Sequence, residues 1–451
     1  MKSNNFDNYS ISKLIATFSL PAILSLILEM MTSVVDTSFA GHIGSQSESA
    51  LSAMGLLSPI LAAFVALQTL FATSTAIMIS KYLGSGDQLQ LNKYFQSGFV
   101  MTCVVSFVTS GTTWILMEPL LTMLGAKGEV WKLAKDYLTI ILLSNILSAI
   151  GYTLTSVIRA FGYPKVEAII ITIAVVINIV CNAILTFGFQ LGVVGIALGT
   201  FISELVCAII SIVYLVKRHI WFLASKVSLG EHGWLSFQML KIGFAQTAIQ
   251  LLAGVSAFIV NHQLISIGSH SQIAIWNIAN KMYMLVLMPI IGITQAVQTI
   301  LAYFEGKGEL LKKNKTVKKT MLYAIIYGIG ITVAMYMFSN VILYLFTSDE
   351  TMLTSTQHVI KVIFLTFPLL GITYTIMTVL QVTGKEIYAV ILGLIRQVIV
   401  IVPLVLLLPT FFRKENLFDI SPAFSIFLSI PLADIATLSI AIVFYRKILQ
   451  K

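Results

Sequence analysis

Leu26–Gly44 reads LILEMMTSVVDTSFAGHIG. It lies in a run from Leu14 to Gly41 that is otherwise apolar or small and uncharged, yet it carries two acids, Glu29 and Asp36. A run of that length crosses a hydrocarbon core of about 30 Å as a helix rising about 1.5 Å per residue. A membrane helix with two carboxylates on it is therefore the first expectation.

The rest of the chain agrees. Of 451 residues, 57% are hydrophobic and 10% charged, against roughly 25% charged in an ordinary soluble domain. Apolar stretches of spanning length recur at Lys13–Phe39, Ala50–Ile79, Tyr94–Leu116, Trp131–Val157, Val166–Gly188, Val193–Val216, Leu240–Ile265, Gln272–Ile300, Thr320–Phe346, Ser355–Val382, Tyr388–Pro409 and Ile420–Tyr445. The expected fold class is an all-α polytopic membrane protein of twelve transmembrane helices. The first run is too long for a signal-peptide core, so it is expected to be retained.

With a cytoplasmic N-terminus, the inner segments and adjoining span ends hold 20 of the 28 Lys and Arg, the outer ones 5, and 3 lie within spans. By the positive-inside rule both termini are cytoplasmic, in a plasma-membrane protein. The net charge of +9, including the run Lys312, Lys313, Lys315, Lys318 and Lys319, is then a topology signal, and no nucleic-acid partner is needed to explain it. Cys103, Cys181 and Cys207 sit in apolar spans at no metal-ligand spacing and read as packing residues.

Sliding the sequence by 222 residues lays GSGD (Gly84–Asp87) on GKGE (Gly306–Glu309), and TSVIRAFGYPK (Thr155–Lys165) on MTVLQVTGKEI (Met377–Ile387). A shift by an even number of spans preserves orientation, so the repeat is parallel, six spans plus six. It divides the chain into an N-terminal lobe at 1–216, a cytoplasmic interlobe linker at 217–239 and a C-terminal lobe at 240–451. Two such lobes around a midplane cavity suit transport by alternating access.

Charges within spans are costly and mark sites by default. The candidates here are Glu29, Asp36, Glu204, Lys281, Arg396 and Asp434. Glu29 and Asp36, seven residues apart, project from one helix face about 10 Å apart along the axis. That face is expected to look into the bundle, where a desolvated carboxylate suits exchange of a proton or a monovalent cation; a hydrogen bond to a neighbouring helix is the other reading for either acid. Asn178 and Asn182, spaced i to i+4, share a face of the fifth span, and Thr200 opens the sixth. With Asp36 they could form an oxygen-rich cluster for a hard cation or a proton; alone, two Asn more often join helices. In the second half Gln295 and Gln298 lie beyond Pro289, a residue expected to kink its helix, and share that span with Asn280 and Lys281. Arg396 and Asp434 are expected to form a buried ion pair, and Glu204 to serve coupling or packing. The six histidines are scattered, and no GxxxxGK[ST] supplies a nucleotide loop. No cofactor, resident metal or enzymatic activity is expected; transport would draw on an H⁺ or Na⁺ gradient.

Several motifs together resemble one family. FSLPAI, VVDTSFAGHIGS and LSAMGLLSPI in the first two spans, KYLGSGD, RAFGYPK, NIVCNAILTFGF with VVGIALGT, and LIRQ before LPTFF are similar to those of the multidrug and toxic compound extrusion (MATE) transporters, over nearly the whole chain. The resemblance implies twelve helices in two lobes and export of amphipathic organic cations in exchange for H⁺ or Na⁺, by a monomer in contact with membrane lipid. It carries the family's N-lobe cation site onto Asp36, Asn178, Asn182 and Thr200. The family's frequent Asp at the third position is Asn182 here, and Glu29 could restore the missing acid. The family's helix-loosening residues near the eighth span are replaced, so that the pairs read Gln295-Ala296 and Gln298-Thr299. A lipid-linked oligosaccharide flippase of the same superfamily is the alternative; it would be expected to carry several cavity Arg or Lys, where this chain offers Lys281 and Arg396 but leads with acids.

Overall fold

A computed structural model describes residues 6–220, 227–267, 270–344, 350–415 and 421–449, and among them there is no strand. Eleven helices are long and apolar enough to cross a membrane: Ile11–Ala40, Ser47–Ser85, Gln88–Ile115, Gly128–Ala160, Pro164–Gly188, Val193–Lys217, Leu229–Ile267, Ile275–Lys307, Leu310–Leu343, Glu386–Phe412 and Pro422–Lys447. A twelfth span is the pair Met352–Ile363 and Phe367–Val382, bent by 44°. These are the twelve expected spans, and the chain is a multi-span membrane protein. Most helices outrun the apolar stretch that marks them, because helix continues past the hydrocarbon until a cap or a breaker ends it. Ser10 caps the first, its hydroxyl accepting from the Lys13 amide, and Asp87 caps the third through Gln90.

The tenth span breaks where Thr366 precedes Phe367-Pro368. A proline offers no N–H and restricts the residue before it, so the helix restarts with Pro in its first turn. A π-helical turn closes the fifth span at Ile184–Gly188, and another interrupts the eleventh at Ile395–Ile401. Such turns put an extra residue into the coil and re-aim the side chains around it.

The chain forms two compact units, Met1–Thr247 with Ala302–Glu309, and Ala248–Leu301 with Leu310–Lys451. The first holds spans one to six, the first half of the seventh and the C-terminal tip of the eighth. The stretch read as a linker, 217–239, is helical from Leu229 onward and is tied to the first unit by Lys93–Glu231 at 2.5 Å and Ser97–His232 at 2.8 Å. The second unit centres on an apolar cluster that includes Trp276, Phe364, Phe367 and Phe427.

The 222-residue repeat is visible in the backbone. Gly86 and Gly308 take φ values of 77° and 73°, and Gly162 and Gly384 take 92° and 74°, left-handed conformations that cost glycine little. Within the first unit, Gly84 meets the Tyr303 backbone and Gly306 meets the Lys81 backbone, so closely that a Cβ at either would fall on a carbonyl. Both partners are related by the same offset, so this is one contact made twice.

Candidate cation site in the first unit

The first span packs on the fifth, the fifth on the sixth, and the sixth on the fourth. Helix register decides what meets there. Asp36 lies one turn before the end of the first span and is 9% exposed. Asn178 and Asn182, one turn apart on the fifth span, are 2% and 0% exposed. Thr200, half-buried, faces them from the sixth.

The hydrogen bonds run in one chain. Asn182 Nδ2 donates to Asp36 Oδ1 at 2.6 Å and to Asn178 Oδ1 at 3.2 Å. Asn178 Nδ2 donates to Thr200 Oγ1 at 3.2 Å, and Thr200 in turn donates to the Ile196 carbonyl at 3.1 Å. The backbone of Gly199 permits the approach, since a Cβ there would fall on Asn182 Oδ1. The structure therefore brings Asp36, Asn178, Asn182 and Thr200 into one buried cluster. Asp36 Oδ2 makes no hydrogen bond among the described residues, and Tyr137 of the fourth span lies within electrostatic reach of the carboxylate.

Glu29 is not part of that cluster. Seven residues earlier on the same face, it sits about 10 Å away along the axis, and the charged groups it senses are Glu204, Glu167 and Arg159. Asn182 is thus not complemented by Glu29 in direct contact; helix rise separates them. Glu204 lies against the Ser148 hydroxyl.

Arg159, the first residue of RAFGYPK, and Glu167 were not site candidates in the sequence, because each falls at a span end. They are 5% and 3% exposed and paired at 2.5 Å. The signal was opposite charges eight residues apart across a tight helical corner.

The candidates of the second half form a different arrangement. Arg396, on the π-helical turn of the eleventh span, is 2.8 Å from Asp434 Oδ1 through Nε and donates through Nη2 to the Tyr283 hydroxyl at 3.2 Å. Thr366, freed by the break in the tenth span, donates to Asp434 Oδ2 at 2.8 Å. Both carboxylate oxygens are thereby engaged. The pair lines a small cavity with Tyr374 and Gln397. Gln298 Nε2 donates to Gln381 Oε1 at 2.8 Å. Gln295 and Asn280 are half-buried and Lys281 is exposed, and the helix that carries them runs unbroken through Pro289.

Comparison with known proteins follows the same lines. The MatE family profile matches residues 21–184 and again residues 245–406; the second match starts 224 residues after the first and ends 222 after it, in step with the repeat. The Multidrug export protein MepA of Staphylococcus saprophyticus is 26% identical over 421 residues, covering 92% of this chain and 90% of that protein. Its namesake from Staphylococcus aureus strain MRSA252 is 27% identical over 428 residues, with the same coverage. Among solved structures, a mutant of the Vibrio cholerae MATE transporter VcmN superposes with a TM-score of 0.89 at 20% identity, covering 98% of this chain and 97% of that one. An outward-facing multidrug resistance MATE family transporter gives 0.88 at 18%, covering 99% and 97%. With most of the chain matched by the profile in two successive copies, and the fold shared along almost its full length, the protein belongs to the MatE family, the multidrug and toxic compound extrusion proteins.

Proposed function

We propose that the protein is a secondary antiporter that exports small amphipathic organic cations across the plasma membrane in exchange for an inward coupling cation, by alternating access of its two halves, with both termini cytoplasmic. The observation that carries this reading is the Asp36 cluster: one carboxylate, buried among helices, with one oxygen held by Asn182 and the other free to bind. The relatives named as multidrug export proteins support drug-like substrates, and the distribution of Lys and Arg supports the orientation.

The donor set favours H⁺ over Na⁺. A sodium ion needs several oxygen acceptors turned toward it. Here Asn182 turns its amide hydrogens toward Asp36 Oδ1 and Asn178 Oδ1, and Asn178 turns its own toward Thr200. The position where a second carboxylate would face Asp36 is a donor, which leaves Asp36 Oδ2 as the exchanging atom. A flippase of anionic lipid diphosphates would need free cavity cations, whereas Arg396 is committed to Asp434.

The test is ethidium transport in proteoliposomes under an imposed pH gradient or an imposed Na⁺ gradient. Transport driven by the pH gradient and lost in Asp36→Asn supports the reading. Transport that Asp36→Asn leaves at the parent rate overturns it.

A further inference from the structure

Below the Asp36 cluster the first unit holds a second set of polar groups, and every helix that contributes to it steps the same way. On the first span Glu29 precedes Asp36 by about 10 Å; on the sixth Glu204 follows Thr200 by about 6 Å; on the fifth Glu167 precedes Asn178 by about 16 Å. On the fourth span Tyr137, Ser144, Ser148 and Arg159 recur at intervals of seven, four and eleven residues, all on one helix face. Odd and even spans run in opposite directions, so all these displacements point to one side of the membrane, the cytoplasmic side in the orientation proposed above.

The contacts link the steps. Tyr137 senses Asp36, Glu204 lies against Ser148, and Glu29 senses Glu204, Glu167 and Arg159. These are the charged groups that face Glu29 from the sixth, fifth and fourth spans. Glu29 itself makes no hydrogen bond among the described residues and is exposed. Independently, the route is flanked by buried polar atoms without partners. They are Ser144 Oγ on the stripe between Tyr137 and Ser148, Ser25 Oγ one turn below Glu29, and Glu167 Oε2 at the lower end, in residues 2%, 5% and 3% exposed. Buried hydroxyls and carboxylate oxygens without a protein partner are the groups that internal water satisfies. The carboxylates do not form a cage: among the described residues no group of three or more His, Cys, Asp or Glu converges to hold a metal ion.

We propose that Glu29 and Glu204 form a proton relay in this chain, carrying the coupling proton between Asp36 and the Arg159–Glu167 pair at the cytoplasmic end of the first unit. The proton leaves Asp36 Oδ2 and crosses the Ser144 and Ser148 level by way of water. It is accepted by a carboxylate oxygen of Glu204 or Glu29, which gives it on past Glu167 Oε2 to cytoplasmic water. Each transfer leaves the donor one proton poorer and the acceptor one richer. Asp36 remains the site at which proton and substrate compete; Glu29 and Glu204 set how fast the proton reaches or leaves it. The relay rests on the antiport reading above.

The experiment uses the full chain in proteoliposomes with pyranine trapped inside and records proton movement when ethidium is added outside; ethidium binding is measured separately by fluorescence anisotropy. In Glu29→Gln/Glu204→Gln the coupled proton flux is expected to fall about tenfold or more and its pH profile to change, with binding preserved and with Glu29→Asp retaining most of the flux. A double variant that moves protons at the parent rate with the parent pH profile, while Asp36→Asn is silent, overturns the relay and leaves the antiport reading standing. Loss of ethidium binding that Glu29→Asp does not restore also overturns it, by placing these acids in the substrate site. Coupled flux that persists in Asp36→Asn overturns Asp36 as the coupling acid, and absence of coupled flux in the parent overturns the antiport reading; either takes the relay with it.

Discussion

Asn182→Asp is expected to turn the proposed proton site into one that holds sodium. The substitution replaces an amide that donates to Asp36 Oδ1 at 2.6 Å by an acceptor of nearly the same shape. The hydrogen bond to a charged group is lost, at about 1.5–3 kcal/mol. Two carboxylates then face each other with charge centres about 4 Å apart, a repulsion of about 4 kcal/mol at an effective dielectric of about 20. Asn178 Oδ1 and Thr200 Oγ1 stand beside them, so a monovalent cation entering the cluster finds two carboxylates and two neutral oxygens. If relief of the repulsion goes into binding, Na⁺ affinity rises by about three powers of ten, at about 1.4 kcal/mol per tenfold. The assay is thermal unfolding in detergent with NaCl varied against choline chloride at constant ionic strength. At a hundred times its dissociation constant a ligand stabilises the folded state by about 2.7 kcal/mol, so the variant should gain a Na⁺-dependent rise in midpoint that the parent lacks. A folded variant with the parent's Na⁺ response would refute the reasoning, because it would mean that the Asn182 amide is not what keeps sodium out.

Two further predictions concern the frame. Arg396→Leu leaves Asp434, 1% exposed at its side chain, as a buried carboxylate with Thr366 as its remaining partner, and should cost about 3–5 kcal/mol; Arg396→Leu/Asp434→Leu should recover most of it, as read by denaturant unfolding in detergent. Additive single effects would mean that the pair is not coupled. Gly306→Ala puts a methyl on the Lys81 carbonyl and should cost about 1–3 kcal/mol, and Gly84→Ala the same by symmetry. Gly330→Ala, where nothing lies within 4 Å, should be neutral or stabilising by up to about 1 kcal/mol; equal loss at Gly306 and Gly330 would show that the crossing does not decide the effect.

Much of this was legible in the sequence, for a reason particular to membranes. Lipid offers no hydrogen bonds, so a span must be a helix of fixed minimum length, and hydropathy alone counts the spans. The break in the tenth span was not visible, since apolar character runs straight across residues 364–366 and proline inside a span does not by itself end a helix: the eighth span carries Pro289 and continues. Asp36, Asn178 and Asn182 stood out because a polar residue is costly in an apolar helix and an i to i+4 pair shares a face; that they meet one another and Thr200 was implied by the family resemblance. The company of Glu29 was not legible. Register places it under Asp36, but which groups meet it depends on how spans four, five and six lean on the first. Arg159 and Glu167 were hidden by their positions at span ends, where a charge is ordinary; only the packing shows them buried.

The backbone repeat and the buried polar residues also part company. At the 222-residue offset the backbone repeats, in Gly86 with Gly308, Gly162 with Gly384, and the reciprocal crossing of Gly84 and Gly306. The functional side chains do not: Asp36, Asn178 and Asn182 fall on Phe258, Val400 and Leu404, and Glu29 and Glu167 on Leu251 and Ala389. In the second half Asp434, a buried carboxylate of the twelfth span, has both oxygens engaged, by Arg396 and Thr366. A carboxylate closed in that way gains nothing from a passing proton and holds helices together, whereas Asp36 keeps one oxygen free. The symmetry thus belongs to the frame. In the proposed antiport the asymmetry belongs to coupling, which needs an exchangeable acid in one half and tolerates a locked ion pair in the other.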